Sequence, residues 1–167
     1  MSDNEAYIEL VVDSIRRPLQ RDRRRIVMLQ QKDGDRVLPI WIGGATARAI
    51  IAAFMCREYP NLSLTCLTGY FWPLLWLLGA RRRLPLDFQT RRRLLAGDGI
   101  RRFVIAGLQD RAFVARIEFD AGAWSPHPLP IRPSDALVLA ARQQHPLFVS
   151  RPVLAKAGVT PGNAEEE

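Results

Sequence analysis

The sequence is poor in the residues that most often carry metal or nucleophilic chemistry. It has two histidines, His127 and His145, and two cysteines, Cys56 and Cys66. The cysteines have no Cys-x-x-Cys spacing, so no zinc motif is present and a disulfide is not expected; they read as two reduced thiols in a cytoplasmic protein. There is also no glycine-rich phosphate loop and no dinucleotide-binding fingerprint. Met1 to Glu5 are polar and acidic, without the basic start and apolar run of a signal peptide, so nothing there argues for secretion. Lysine is nearly absent: of 24 basic residues only Lys32 and Lys156 are lysines, and the rest are arginines.

What is present is apolar and basic. The 167 residues are 48% hydrophobic, enough for one domain with a real core and too few for two comfortable ones. We expect that domain over residues 1–159, with a divergent insertion at about 59–99 and a disordered acidic tail over 160–167. The net charge is +7, and its excess is local. Eight arginines lie between Arg81 and Arg102 against only Asp87 and Asp98, and Arg16, Arg17, Arg21, Arg23, Arg24 and Arg25 face only Asp13 and Asp22. Such patches suit a phosphate backbone, because each contact releases condensed counterions. An arginine bias from a GC-rich genome, giving only a solvated face, accounts for the same composition.

The patterning gives two runs of strands, each followed by a helix. Tyr7 to Val12, Arg25 to Gln30 and Arg36 to Ile42 read as strands, with Ile8, Leu10 and Val12 on one face and Trp41 in the core. Asp33-Gly34 between apolar runs signals a hairpin, because glycine tolerates positive φ. Pro39 pushes the third strand towards a sheet edge or a bulge. Ala45 to Arg57 reads as a helix with Ala47, Ile50, Ile51, Phe54 and Met55 at helical spacing. Arg101 to Ala106, Ala112 to Phe119 and Leu129 to Ile131 repeat the strands. A helix from Ser134 or Asp135 to Gln143, a strand from Pro146 to Val149 and a helical turn from Val153 to Ala157 follow. The expected fold is α+β: a mostly antiparallel sheet with packed helices, made of two similar β-β-β-α halves in one domain.

Three segments carry a family resemblance. They are Asp33-Gly-Asp-Arg-Val-Leu-Pro-Ile-Trp-Ile-Gly43 before an alanine-rich helix, Asp110-Arg-Ala-Phe-Val-Ala-Arg-Ile117, and Ile131-Arg-Pro-Ser-Asp-Ala-Leu-Val-Leu-Ala140. The last is followed by Pro146-Leu-Phe-Val149 and Val153-Leu-Ala-Lys-Ala-Gly158. In this order they resemble the bacterial bifunctional-nuclease domain family over about 7–54 and 100–159. The resemblance implies a nuclease hydrolysing phosphodiester bonds of DNA and RNA. The chain departs from the family in its middle. Where the family has a Pro-Leu-Thr-His-Asp type of helix start, the nearest counterpart is Pro85-Leu86-Asp87-Phe88-Gln89, with neither that histidine nor the final aspartate. A non-catalytic nucleic-acid-binding or assembly module that keeps the fold is therefore the competing function.

Candidate site residues follow from both lines. Arg132 and Asp135 are the candidate catalytic pair, lining a cleft where they bind phosphate and support a metal or water. The structural account of Asp135 is that Ser134 caps the helix while the carboxylate meets the positive end of its dipole. Arg91, Arg92, Arg93, Arg101 and Arg102 are the candidate nucleic-acid-binding residues. Asp33, Asp35, Asp110, Asp120 and Asp135 are the acids near motif turns. No spacing among them resembles a metal box, so the metal ligands are unknown and a divalent metal remains an open cofactor. Both histidines read as surface residues.

Tyr59 to Ala80 is a run of 22 residues without a charge, about 33 Å if helical and enough to cross a hydrocarbon layer. Its polar residues and Pro73 dilute all but Tyr70 to Leu78. Three readings stand: a buried or oligomer-facing insertion, a membrane contact, or a segment whose reading frame is not the ancestral one. Homo-oligomerisation through the apolar stretch is expected.

Overall fold

Apolar residues alternate along nearly every extended stretch, and the strands they form join into one sheet. The structure, a computed structural model, describes residues 6–18, 24–58, 88–110 and 112–160. In chain order these hold β1 (Tyr7–Arg16), β2 (Arg25–Gln31), β3 (Val37–Ile42), α1 (Gly44–Glu58), α2 (Phe88–Ala96), β4 (Ile100–Gln109), β5 (Ala112–Phe119), β6 (Leu129–Ile131), α3 (Pro133–Gln143), β7 (Leu147–Ser150) and α4 (Arg151–Ala157). The strands line up as β3-β2-β1-β7-β4-β5-β6. Every neighbouring pair is antiparallel except β4 with β7. The fold is thus α+β with a mostly antiparallel sheet. β1-β2-β3 and β4-β5-β6 form the two flanks, and β7 lies between them.

The register sorts side chains onto two faces, because neighbouring residues on a strand point to opposite sides. Cross-strand partners share a face. Ile8 and Leu10 sit opposite Val149 and Leu147, which in turn sit beside Ile105 and Phe103, themselves paired with Ala115 and Ile117. This inner face joins Val27, Leu29, Leu38 and Ile40 and buried residues of the helices in one core drawn from both flanks. Each fully buried Leu, Ile or Phe there contributes roughly 1.5–3 kcal/mol. α1 and α3 pack against each other on the core, and Val153 and Leu154 of α4 close it. Beyond α4, Val159 exchanges two hydrogen bonds of 2.8 Å with Val37, covering the outer edge of β3. β3 is an edge strand of the sheet, as Pro39 leads one to expect.

Several expectations are corrected. Trp41 is 50% exposed rather than in the core, because Ile40 and Ile42 take the inward positions and leave Trp41 facing out. On α1, Ala47, Ala49 and Ile50 are buried, whereas Ile51 and Met55 are exposed, so the apolar face is narrower than the spacing suggested. β1 runs four residues past Val12 because a bulge between Val12 and Ser14 shifts the register and returns Ile15 to the core side. The β2–β3 hairpin forms, with Gln31 N–H donating to the Arg36 carbonyl at 2.8 Å. Gly34 is not among the residues of positive φ; it instead leaves room for the Gln31 side chain, which a Cβ at that position would meet. α2 begins at Phe88, within Pro85–Gln89, the counterpart of the family's helix start, although the apolar pattern gives no helix there. Residues 59–87, including the apolar run and Arg81–Arg83, lie outside the described residues, as do 1–5, 19–23, Arg111 and 161–167. No helix among the described residues is long and apolar enough to cross a membrane.

Candidate nucleic-acid interface

The outer face of the sheet carries a compact arginine cluster. Arg116 and Glu118 are two apart on β5 and so share a face; the register places Arg102 of β4 opposite Glu118. Arg102 Nε donates to Glu118 Oε2 at 2.6 Å, and Arg116 donates to Glu118 Oε1 through Nε at 2.9 Å and Nη2 at 2.7 Å. Arg116 Nη2 also donates to the Tyr7 hydroxyl at 2.7 Å. The Arg102 guanidinium lies 4.6 Å from the Tyr7 ring centroid and 5.5 Å from that of Phe148, a cation–π arrangement. These side chains cover Val104, which is fully buried although it points to this face. Burial alone would raise the Glu118 carboxyl. Hydrogen bonds from Arg102 and Arg116 and their positive charges outweigh that, and hold it below its ordinary value.

Beside this cluster opens a cleft of about 450 Å³, lined by Arg101, Arg102, Arg116, Glu118, Asp120 and His127 among others. Three guanidiniums and a histidine thus face two carboxylates, an environment suited to an anion. α2 is joined to the loop that borders the cleft through the turn that follows it. Gly97 and Gly99 adopt φ of +78° and +66° in the turn that leads from α2 into β4. That turn is tied to the 120–128 loop by Asp120 N–H to the Gly99 carbonyl at 2.9 Å and Trp124 Nε1 to the Asp98 carbonyl at 2.8 Å. Trp124 packs edge-on against Phe119, and the Arg93 guanidinium lies 5.9 Å from the Trp124 ring. Arg92, Arg93 and Arg101 are all exposed at this end of the molecule.

The expected site residues divide accordingly. Arg92, Arg93 and Arg101 are all exposed, and of the three Arg101 lines the cleft. Arg102 is only 5% exposed and bound to Glu118, so it shapes the cleft floor and does not stand on the surface with them. The Arg91 side chain lies outside the described residues. Arg132 and Asp135 do not line the cleft. Arg132 is exposed at the N-cap of α3, where its carbonyl accepts from Asp135 and Ala136 N–H at 3.0 and 2.9 Å. Asp135 is 6% exposed in the first turn. The expected hydroxyl cap is absent: the helix begins at Pro133, one residue early, and Ser134 Oγ instead lies 3.2 Å from Asp135 Oδ1. Asp33 and Asp35 sit in the β2–β3 turn and Asp110 in the β4–β5 turn. Among the described residues no three His, Cys, Asp or Glu side chains gather as a metal site. His127 is exposed at the cleft, and His145 is half-buried with its ring 6.2 Å from Phe103. Tyr7, Arg116 and Glu118 escaped the sequence reading. Arg-x-Glu alternating with Ala115 and Ile117 was a visible signal for two of them; Tyr7 joins only through β7.

Comparison with known proteins gives two findings. A family model described as the bifunctional nuclease domain matches residues 89–162, which span α2 to just past α4 and include every cleft residue named above except Tyr7, of β1. Two proteins of Mycobacterium tuberculosis, from strains H37Rv and CDC 1551 and both described as uncharacterized, are 30% identical to this chain over 151 residues, covering 89% of it and 76% of each relative.

Proposed function

The chain belongs to the bifunctional nuclease domain family, and from that premise we propose that it binds DNA and RNA and hydrolyses their phosphodiester bonds with broad specificity. The observation that carries this reading is the convergence of Arg101, Arg102, Arg116 and His127 on one cleft; Arg92 and Arg93 are exposed on α2, and the Arg93 guanidinium lies against Trp124 of the loop that borders it. Phosphodiester hydrolysis needs the phosphate charge neutralised and a nucleophile placed in line, commonly with metal ions held by carboxylates. In this reading the cleft arginines hold the backbone, and Arg132 with Asp135 forms the catalytic pair reached by substrate leaving the cleft along β6. A divalent metal stays part of the proposal without assigned ligands. The acids are dispersed over separate turns, and that dispersal favours the second reading, a binding module without hydrolysis.

One assay separates the two. DNA and RNA are incubated with chelator-treated protein and with protein supplied with Mg²⁺ or Mn²⁺, beside Asp135→Asn. Cleavage that falls on the order of 100-fold in the variant, with unchanged melting temperature, supports the pair. Tight binding with no cleavage under any condition leaves the binding module. The proposal extends to a cytoplasmic protein whose residues 1–159 form one domain of two related halves, and which self-associates; light scattering giving a monomer would remove the last clause.

A further inference from the structure

Arg16, Arg17 and Arg24, of the first arginine cluster, do not line the cleft, and Arg24 lies over an unexpected residue. Trp41 faces out from β3 with half its surface exposed. Arg16, Ile26 and Trp41 form one row across β1, β2 and β3 on the outer face, so Arg16 lies two strand spacings, roughly 10 Å, from the indole. The Arg24 guanidinium lies 5.0 Å from the Trp41 ring centroid, and Arg17 is exposed just past the end of β1. An outward position on a half-exposed strand normally takes a polar side chain. A tryptophan there, with the Arg24 guanidinium over its ring and Arg16 in the same row, offers an aromatic surface for a flat ring and cations for the charges beside it.

We propose that Trp41, with Arg16, Arg17 and Arg24, is a second contact for single-stranded nucleic acid, in which an unpaired base stacks on the indole and the arginines meet the flanking phosphates. Stacking on an aromatic platform is insensitive to base identity, because every base has a π-face. A duplex, whose bases are already stacked, gains only the phosphate contacts. The inference rests on the nucleic-acid reading above but on residues outside the cleft and outside the matched segment 89–162.

The test uses the full chain, its Trp41→Ala and Trp41→Phe variants, and three labelled probes: a short oligothymidylate, the same length of abasic backbone, and a duplex. Trp41→Ala should weaken oligothymidylate binding roughly 5- to 150-fold, leave abasic and duplex binding unchanged, and leave the salt slope unchanged because no charge is lost. Trp41→Phe should recover most of the loss, and since residue 41 faces out, melting temperatures should agree. Equal affinity of wild type and Trp41→Ala for oligothymidylate overturns the proposal, as does equal affinity of wild type for the thymidine and abasic probes. Self-association that disappears in Trp41→Ala while oligothymidylate binding stays intact would make the indole a protein contact and overturn it too. Failure of wild type to bind any of the three probes would bring down the nucleic-acid reading itself.

Discussion

At Glu118 a single carboxylate accepts from two guanidiniums, and both its cost and its use follow from that. Removing the charge with Glu118→Gln leaves Arg102 and Arg116 facing each other beside a fully buried Val104. Breaking such a pair from one side is expensive, and about 3 kcal/mol of stability should be lost at neutral pH. The same change removes a negative charge from the cleft wall, so nucleic-acid affinity should rise even as stability falls. A less stable protein with unchanged affinity would show that anions do not use this cleft. The pH dependence has a definite sign. Because the folded-state carboxyl titrates below its ordinary value, its contribution is complete above the unfolded value of about 4.3 and is lost as pH falls through the depressed folded value. Urea unfolding of wild type and Glu118→Gln should therefore differ by a constant amount from pH 7 to about pH 5, and the two should converge in stronger acid. A gap that persists there would mean that packing, not charge, sets the difference.

The turn between α2 and β4 is the element that binds the exposed arginines to the cleft. Gly99 has φ +66°, and a Cβ on it would stand 2.8 Å from the Ala123 Cβ. Gly99→Ala should thus strain the backbone and push away the 120–124 loop, costing more than about 1 kcal/mol. With the loop displaced, Trp124 loses its bond to the Asp98 carbonyl, and nucleic-acid affinity should fall although no charge has changed. Unaltered thermal stability in Gly99→Ala would show that the loop is not held in this way. Most strands were legible because inward Val, Leu, Ile and Phe alternate with outward residues. The missed extents fall at the bulges after Val12 and Ile105, where an extra residue breaks the period of two. α2 has little apolar periodicity in its sequence: among its described side chains Leu94 is the buried one. Trp41 was misplaced because an apolar side chain in an apolar strand reads as core until the alternation around it is enforced.

Across the whole molecule, contacts between distant segments decide what sequence alone leaves open. β7 entering between β1 and β4 carries Tyr7 to Arg116, a pairing of residues 109 apart that no local pattern announces. The net charge of +7 is likewise distributed by the fold. One arginine group stands on β4 and β5 of the outer face and another around β1–β3, with Trp41 of β3 four strand spacings, roughly 19 Å, from β4 along the sheet. If the first group binds phosphate, affinity should be largely independent of sequence and fall steeply with salt, since counterion release dominates. Replacing Arg91, Arg92 and Arg93 with Gln should reduce the log–log salt slope on duplex DNA by up to about 0.9 for each phosphate contact removed. The fold should be retained, because Arg92 and Arg93 are exposed. The Trp41 group, far along the sheet, should keep its own share of the slope in that variant. An arginine bias inherited from a GC-rich genome leads to a different result: weak binding from the outset and the same slope in both proteins. Titrating wild type and triple variant against one labelled duplex at three or so salt concentrations distinguishes these, and an unchanged slope would strike α2 from the interface, leaving the cleft to account for binding alone.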